Sequence, residues 1–204
     1  MTANTQPARR RTLTGIHNTS RRRLAVGGAI AAITMLASHF VAPSQASAYD
    51  DRLAYSYMNV RTNTCEITAS NDGRLATPYW RNGSCYGYDV IDGTWWVPDE
   101  GGLGSKWVLH HNGFGNWVGK IEWHPYGEHF WMYDLKNDGD TFYVTMSVPD
   151  AFWSRTFSIS GSSDTVDIGH WNLNFPEGYY VYMTVYDNES RTDKITNRVF
   201  VGTT

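Results

Sequence analysis

Apolar and polar residues alternate along residues 116–148, and this run has the clearest pattern in the chain. One set of alternate positions carries large apolar side chains, namely Trp117, Ile121 and Trp123. The other set carries polar side chains, namely Lys120, Glu122 and His124. Because successive side chains of a β-strand point to opposite faces, this alternation predicts a strand.

Two more strands are predicted in the same run, at residues 130–133 and 141–148. The segment between them reads Asn137-Asp138-Gly139-Asp140. Asp-Gly is favoured in two-residue type I′ turns, because both central residues of such a turn need a positive φ. The sequence therefore predicts that these two strands pair as an antiparallel hairpin.

Short strands separated by turn residues recur along the rest of the chain. They are predicted at residues 52–60, 64–70, 106–110, 153–160, 165–168, 171–175, 179–186 and 194–201. The remainder of residues 86–115 is predicted to be a long loop, and no helical period exceeds one turn. Seven or more short strands at this spacing predict an all-β fold, a single antiparallel β-sandwich of the immunoglobulin-like or jelly-roll-like kind. A closed β-barrel is the second choice.

The first 48 residues have the composition of a targeting segment. Six arginines precede an apolar run at residues 24–37, which is about 14 residues long and shorter than the ~20 that a membrane-spanning helix needs. Pro43 and the small residues Ala46-Ser47-Ala48 follow. We therefore expect an export signal over residues 1–48, a single secreted domain over residues 49–204 and an extracellular location.

The residues Thr19-Ser20-Arg21-Arg22-Arg23-Leu24 resemble a twin-arginine signal, although the phenylalanine after the arginines is missing. A general secretory signal with a long basic N-terminal region is the first alternative. A retained membrane anchor is the second.

Removal of these residues changes the charge of the chain. All 20 acidic residues lie after position 48, whereas 11 of the 17 basic residues do, so the mature chain carries a formal charge of −9. An acidic chain without a basic patch is repelled by polyanions. The charge therefore excludes nucleic acid as a partner, and we expect no membrane partner after cleavage.

Cys65 and Cys85 are the only cysteines, and both lie in the exported part. In an oxidising compartment the two are expected to pair as a disulfide. A metal site is the alternative, but two cysteines this far apart match no ligand spacing.

Residues 119–139, with Phe175-Pro176-Glu177-Gly178 and the tyrosine-rich strand after it, carry a recurring pattern. The pattern is Gly-Glu, a strand, an Asp, and then an Asp-Gly turn. It resembles small exported proteins of actinobacteria, and the resemblance spans residues 117–201. It implies a β-sandwich and export; this group is largely uncharacterised, so the resemblance implies no catalytic residues.

Aromatic residues are abundant in the mature chain, which holds all nine tryptophans. An indole ring can stack on the apolar face of a sugar while neighbouring polar side chains accept hydrogen bonds from its hydroxyls. The tryptophans expected to be exposed and to bind lie among Gly, Asp and Asn, namely Trp80, Trp95, Trp96 and Trp107. The alternative is that these rings fill the core.

Metal sites are weakly indicated. Four oxygen-bearing side chains near one turn offer calcium ligands, namely Asp134, Asn137, Asp138 and Asp140. An ordinary exposed hairpin turn would use the same residues. The histidines form neither His-Glu-x-x-His nor its inverted form, so zinc is disfavoured, and no cofactor is predicted.

The functional expectation is a secreted non-enzymatic binding module for extracellular carbohydrate or a protein. A small hydrolase such as a glycosidase is the alternative, since Glu122, Glu128 and Asp134 could supply the two carboxylates it needs. That reading would be favoured by two strongly perturbed carboxylates in a cleft beside residues 86–115. A self-associating structural protein of the envelope or matrix is a further alternative.

Overall fold

The computed structural model describes residues 53–73, 75–111, 116–136, 140–159, 165–196 and 200–204. The predicted export signal at residues 1–48 lies outside the described residues. So do Asn137 and Asp138 of the proposed calcium turn.

The described residues form strands and no α-helix. In chain order the strands are β1 (Ala54–Arg61), β2 (Glu66–Ser70), β3 (Tyr79–Arg81), β4 (Ser84–Gly87), β5 (Thr94–Trp96), β6 (Leu103–His110), β7 (Trp117–His124), β8 (His129–Asp134), β9 (Tyr143–Val148), β10 (Trp153–Ser158), β11 (Asp167–Asn172), β12 (Tyr180–Tyr186) and β13 (Phe200–Thr203). A 3₁₀ turn, Pro149–Ala151, joins β9 to β10. No helix in the described part is long and apolar enough to cross a membrane. The predicted all-β class is confirmed.

Ten of the strands form one antiparallel sheet. Its order is β10-β9-β12-β13-β6-β7-β8-β11, and β1 and β2 branch from β6. The two ends of this path approach each other, because Phe157 of β10 packs against Trp171 of β11 with ring centroids 4.8 Å apart. The sheet is therefore nearly closed, in the manner of a barrel.

The inner face of this large sheet encloses the main core. Alternate residues on paired strands meet there, so Ile121 lies opposite Met132 and Trp123 lies opposite Phe130. All four side chains are buried. The predicted apolar positions Ile121 and Trp123 thus face the inner core, whereas Trp117 packs against a second cluster that contains Trp96 and Val108.

A small sheet, ordered β3-β4-β5, makes a second layer. It packs on the outer face of β1 and β6 and buries a second core of Met58, Val60, Cys65, Leu75, Cys85, Trp96 and Val108. The predicted disulfide between Cys65 and Cys85 is confirmed, with 5.2 Å between their Cα atoms. It ties the turn before β2 to the middle strand of the small sheet.

Three predictions of strand organisation are wrong. The strands on either side of Asp138-Gly139 do not pair, since β8 lies between β7 and β11 whereas β9 lies between β10 and β12. The segment predicted as a long loop contains β5, and β6 begins at Leu103, ahead of the strand predicted at 106–110. The strands predicted at 165–168 and 171–175 are parts of the single strand β11.

Loss of the disulfide should lower the stability of the fold. The bridge closes a loop of 20 residues, for which the chain-entropy model gives about 3 kcal/mol. We expect the double variant Cys65→Ala/Cys85→Ala to lose about that much free energy of unfolding in urea at neutral pH. Wild-type protein unfolded in the presence of a reductant is the control and should match the variant; equal midpoints for oxidised and reduced wild type would contradict the prediction.

Candidate ligand cleft and its charge cluster

The small sheet covers only part of the outer face of the large sheet. Beside it lies an open cleft of about 540 Å³, which we call the outer cleft. Its lining residues come from both layers and are Asp92, Gly93, Trp95, Val97, Glu122, His124, Tyr126, His129, Trp131 and Tyr133.

Strand register explains why these side chains share one surface. Residues directly opposite each other on antiparallel strands point to the same face. On β7 and β8 the opposite pairs are Lys120 with Tyr133, Glu122 with Trp131, and His124 with His129. Glu122 and His124 of β7 and the odd-numbered positions of β8 therefore make up the floor of the outer cleft, and Lys120 lies beneath it.

Aromatic rings form much of the wall. Trp131 stacks on His170 of β11, with ring centroids 3.7 Å apart and planes 13° apart. From the other layer, Trp95 packs on Tyr86 at 4.4 Å. Tyr126, in the turn between β7 and β8, is 57% exposed. The rings thus present accessible faces from two separate layers.

A cluster of charged side chains lies under one end of the outer cleft. We call it the charge cluster; its members are Asp89, Asp92, Lys106, Lys120 and Glu122. The ammonium of Lys120 lies 2.7 Å from Glu122 Oε1 and 3.4 Å from Asp89 Oδ2, and it also contacts Asp92. Lys106 Nζ lies 3.3 Å from Asp89 Oδ2. Both lysine side chains are fully buried.

The loop between β4 and β5 wraps around the carboxylate of Asp89. Its Oδ1 accepts hydrogen bonds from the backbone N–H groups of Ile91, Asp92 and Gly93, at 3.0 to 3.1 Å. Burial by itself raises the pKa of Asp89, but Lys106, Lys120 and these backbone donors outweigh it and lower the pKa to about 2. Asp89 is therefore ionised at neutral pH and holds the loop against both lysines.

The two lysines differ in their surroundings. Burial lowers the pKa of Lys106, which faces Asp89 and the carbonyl oxygens of Gly87 and Tyr88 at 2.9 and 3.0 Å. Burial acts on Lys120 in the same direction, but its carboxylate neighbours outweigh burial and raise its pKa. Lys120 is thus the more firmly charged of the two.

Glu122 joins the charge cluster to the cleft. Burial raises its pKa, yet the hydrogen bond with His124 and the nearby Lys120 together lower it. Its Oε2 lies 3.1 Å from His124 Nε2, and Thr94 donates a hydrogen bond to its Oε1. Burial also raises the pKa of Tyr133, and its neutral phenol hydrogen-bonds Asp92. Glu122 is therefore an ionised hydrogen-bond acceptor that Lys120, His124 and Thr94 hold in place.

A pair of histidines lies at the far end of the outer cleft, and His129 is the one that lines it. His129 Nδ1 and His170 Nε2 lie 2.9 Å apart. Burial, together with neighbouring histidines, lowers the pKa of both residues. Both rings therefore favour the neutral form more than an ordinary histidine does.

The carboxylates of Asp89, Asp92 and Glu122 each place an oxygen within 4.8 Å of the others, which is close enough to share a metal ion. The ammonium of Lys120 contacts all three carboxylates. Because it takes the position that a cation would need, these residues fit an ion-pair cluster and do not fit a metal ion.

The four tryptophans predicted to be exposed differ in their burial. Trp80 and Trp95 are 49% and 37% exposed, but only Trp95 lines the outer cleft. The expected exposure of Trp96 and Trp107 is wrong, since both are buried. Trp96 lies in the second core, and Trp107 packs against Tyr55 and Tyr57 in the inner core. Neither ring can reach a ligand in this fold. Binding by Trp95 stays a prediction for the outer cleft, and the predicted binding by Trp80, which does not line this cleft, would need another site.

The calcium prediction rested on a turn that is only partly described. Asp134 is 1% exposed, and one of its oxygens accepts a hydrogen bond from the N–H of Lys136. It lies opposite Gly119 on the inner face, so it does not share the outer face with Glu122. Asp140 is half-buried and accepts a bond from the N–H of Thr141.

Glu128, the third carboxylate considered for hydrolysis, lies in the turn after β7. It is 8% exposed, and burial raises its pKa, helped by the nearby carboxylates of Glu177 and Asp99. Glu128 is not among the residues that line the outer cleft. The structure therefore does not bring the three carboxylates Glu122, Glu128 and Asp134 into one site.

Sequence reasoning missed Asp89 and Lys106. A signal was present for Lys106, because a lysine stands beside the apolar run Trp107-Val108-Leu109 of a strand, and a charge there needs a partner if both faces are buried. Nothing local marks Asp89 as that partner, since the two residues are separated by β5 and its flanking turns.

A scan against protein-family models found no match for this chain, and searches of curated proteins and of solved structures found no match either.

Proposed function

We propose that this protein is a carbohydrate-binding module and that the outer cleft is its binding site. The proposal rests on one observation, which is that aromatic faces and ionised or hydrogen-bonding side chains line the same open cleft. Sugar recognition needs this combination, because rings cover the apolar face of a pyranose while polar groups hold its hydroxyls.

The dimensions of the cleft support a saccharide ligand. Its volume of about 540 Å³ falls within the range of about 300–1,000 Å³ that is common for small-ligand pockets. Trp95 and Trp131 come from different layers, so a ring bound between them would contact aromatic surface on two sides.

The ionised state of the carboxylates favours binding over hydrolysis. A glycosidase needs one carboxyl group that stays protonated as the general acid. Burial by itself raises the pKa values of Asp89 beneath the cleft and of Glu122 at its floor, but Lys106, Lys120 and His124 outweigh it and lower both. Neither carboxylate is therefore suited to donate a proton to a ligand.

Export remains part of the proposal. An extracellular module fits the predicted export signal and the resemblance to small exported actinobacterial proteins, and a disulfide is typical of oxidising compartments. A protein ligand, the other partner expected from the sequence, is not favoured by a concave aromatic cleft of this size.

The test is retention on a panel of insoluble polysaccharides, followed by calorimetry with soluble oligosaccharides of those retained. We expect the variant Trp95→Ala/Tyr126→Ala to bind at least about tenfold more weakly, because each ring contributes about 1 kcal/mol of stacking. Both side chains line the cleft and are more than one-third exposed, so the fold should tolerate their loss.

Trp80→Ala is the matched control, because Trp80 is more exposed than Trp95 but does not line the cleft. It should bind like the wild type, and circular dichroism should show all variants folded. Failure of wild type to bind any polysaccharide in the panel, or equal binding by wild type and the cleft variant, would contradict the proposed function.

A further inference from the structure

We propose that the outer cleft selects glycans that carry a free amine, so that its ligand is an amino-sugar polymer held partly through an ammonium group. This inference rests on the proposed function and names the ligand class for the same site. It is argued from the charged groups around the cleft and from the aromatic side chains that line it.

The charge cluster is not neutral. It holds three carboxylates, those of Asp89, Asp92 and Glu122, and two ammonium groups, so its formal charge is −1 with neutral histidines. The two lysine side chains are fully buried, and no lysine or arginine is among the described residues that line the cleft. Arg81, which lies over the Trp95 ring at 5.1 Å, is not a lining residue. The carboxylates of Asp92 and Glu122 therefore face the cleft, whereas the ammonium groups of both lysines lie beneath it.

Asp92 is the carboxylate of the charge cluster that reaches the surface of the cleft. Its side chain is 49% exposed although one oxygen contacts Lys120. Asp89 and Glu122 are almost fully buried by comparison. Asp92 can therefore accept hydrogen bonds from a bound ammonium while it keeps its internal partner.

The surface around Asp92 also favours a cation. Four aromatic residues line the cleft, namely Trp95, Tyr126, Trp131 and Tyr133. The face of an aromatic ring attracts an ammonium, by about 0.5–1 kcal/mol at exposed sites and more where water is excluded. Lys120 already lies 4.3 Å from the ring centroid of Tyr133 on the buried side. Aromatic faces beside a half-exposed carboxylate are a suitable environment for an organic ammonium.

The histidine of β8 that lines the cleft favours its neutral form. Burial lowers the pKa of His129, helped by the nearby His124. The ring of His124 lies against the carboxylate of Glu122. A ligand amine in the cleft therefore meets the imidazole of His129 and the half-exposed carboxylate of Asp92.

The experiment compares two soluble probes by calorimetry on the disulfide-bonded mature protein. They are the tetramer of glucosamine, which has free amines, and the tetramer of N-acetylglucosamine, which has none. The lowered pKa values of His129 and His170 favour their neutral forms relative to ordinary histidines. We expect the glucosamine tetramer to bind about tenfold more tightly, as one added ammonium contact would give.

Equal affinities, or tighter binding of the acetylated tetramer, would overturn the inference but leave the carbohydrate proposal intact. The carbohydrate proposal fails if no glycan in the panel binds or if the cleft variant Trp95→Ala/Tyr126→Ala binds like wild type. Asp92→Asn should reduce the preference for the amine, whereas Asp150→Asn, which removes the same charge from the exposed turn after β9, should keep it. If Asp92→Asn did not fold, the comparison of the two tetramers on wild type would still decide.

Discussion

Replacing Lys120 with methionine should destabilise the protein by about 3–5 kcal/mol at neutral pH. Lys120 is fully buried and its ammonium contacts Asp89, Asp92 and Glu122. Removing one partner of a buried ion pair leaves the other charge uncompensated where water cannot solvate it, and the cost is of that order. Urea unfolding followed by circular dichroism measures the difference.

Lys194→Met is the control, since Lys194 is exposed, and its effect should stay within about 0.5 kcal/mol. The variant Lys120→Met/Glu122→Gln should be more stable than Lys120→Met alone, because it also removes one of the uncompensated charges. If the two substitutions were simply additive, the ion pair would not be the source of the loss.

Lowering the pH should reduce the stability that the charge cluster provides. The pKa of Asp89 is lowered to about 2 in the folded protein, from an ordinary value of 3.8. Its stabilising contribution is therefore complete above about pH 4 and is lost as the pH falls toward 2. Lys120→Met removes one of the two cations that lower this pKa, so the pKa of Asp89 should lie closer to its ordinary value and acid should remove less stability from the variant than from wild type.

Replacing Trp96 with alanine in the wild-type protein should lower the free energy of unfolding by about 3–5 kcal/mol. Its indole is fully buried in the second core and donates a hydrogen bond to the carbonyl oxygen of Trp123 at 3.0 Å. A Cβ added at Gly104 would lie 2.5 Å from the ring, so the backbone approaches the indole closely. No neighbouring side chain of similar size can refill the space.

The matched substitution Trp80→Ala removes the same side chain from a site that is 49% exposed, and it should cost less than about 1 kcal/mol. Urea unfolding must be followed by circular dichroism, because both changes remove a fluorophore. Similar losses for the two variants would contradict the buried position of Trp96.

The tryptophan predictions show where local reasoning was too weak. Glycine and aspartate neighbours suggested that Trp95 and Trp96 were both exposed. Adjacent residues of a strand point to opposite faces, so strand geometry would have allowed only one of the pair to face solvent. Which of the two is buried depends on the layer beneath the small sheet, and the sequence of β5 carries no information about that layer.

The hairpin predicted at Asp138-Gly139 failed for a related reason. Turn chemistry describes a local conformational preference, but the pairing of β8 and β9 depends on competing partners. β8 pairs instead with β11 over six residues, and β9 pairs with β10 over six and with β12 over five. Non-local pairing therefore outweighed the signal in the turn.

The sequence by itself determined the all-β class, the disulfide between Cys65 and Cys85, and the sharing of faces along β7. These follow from period-two alternation and from the cysteine count, both of which are local or compositional. Only the tertiary structure decided that the polar face of β7 is buried at Lys120 and Glu122 and open at His124. The reason is that a second layer, tied on by the disulfide, covers part of that face with Asp89 and leaves the rest as the outer cleft.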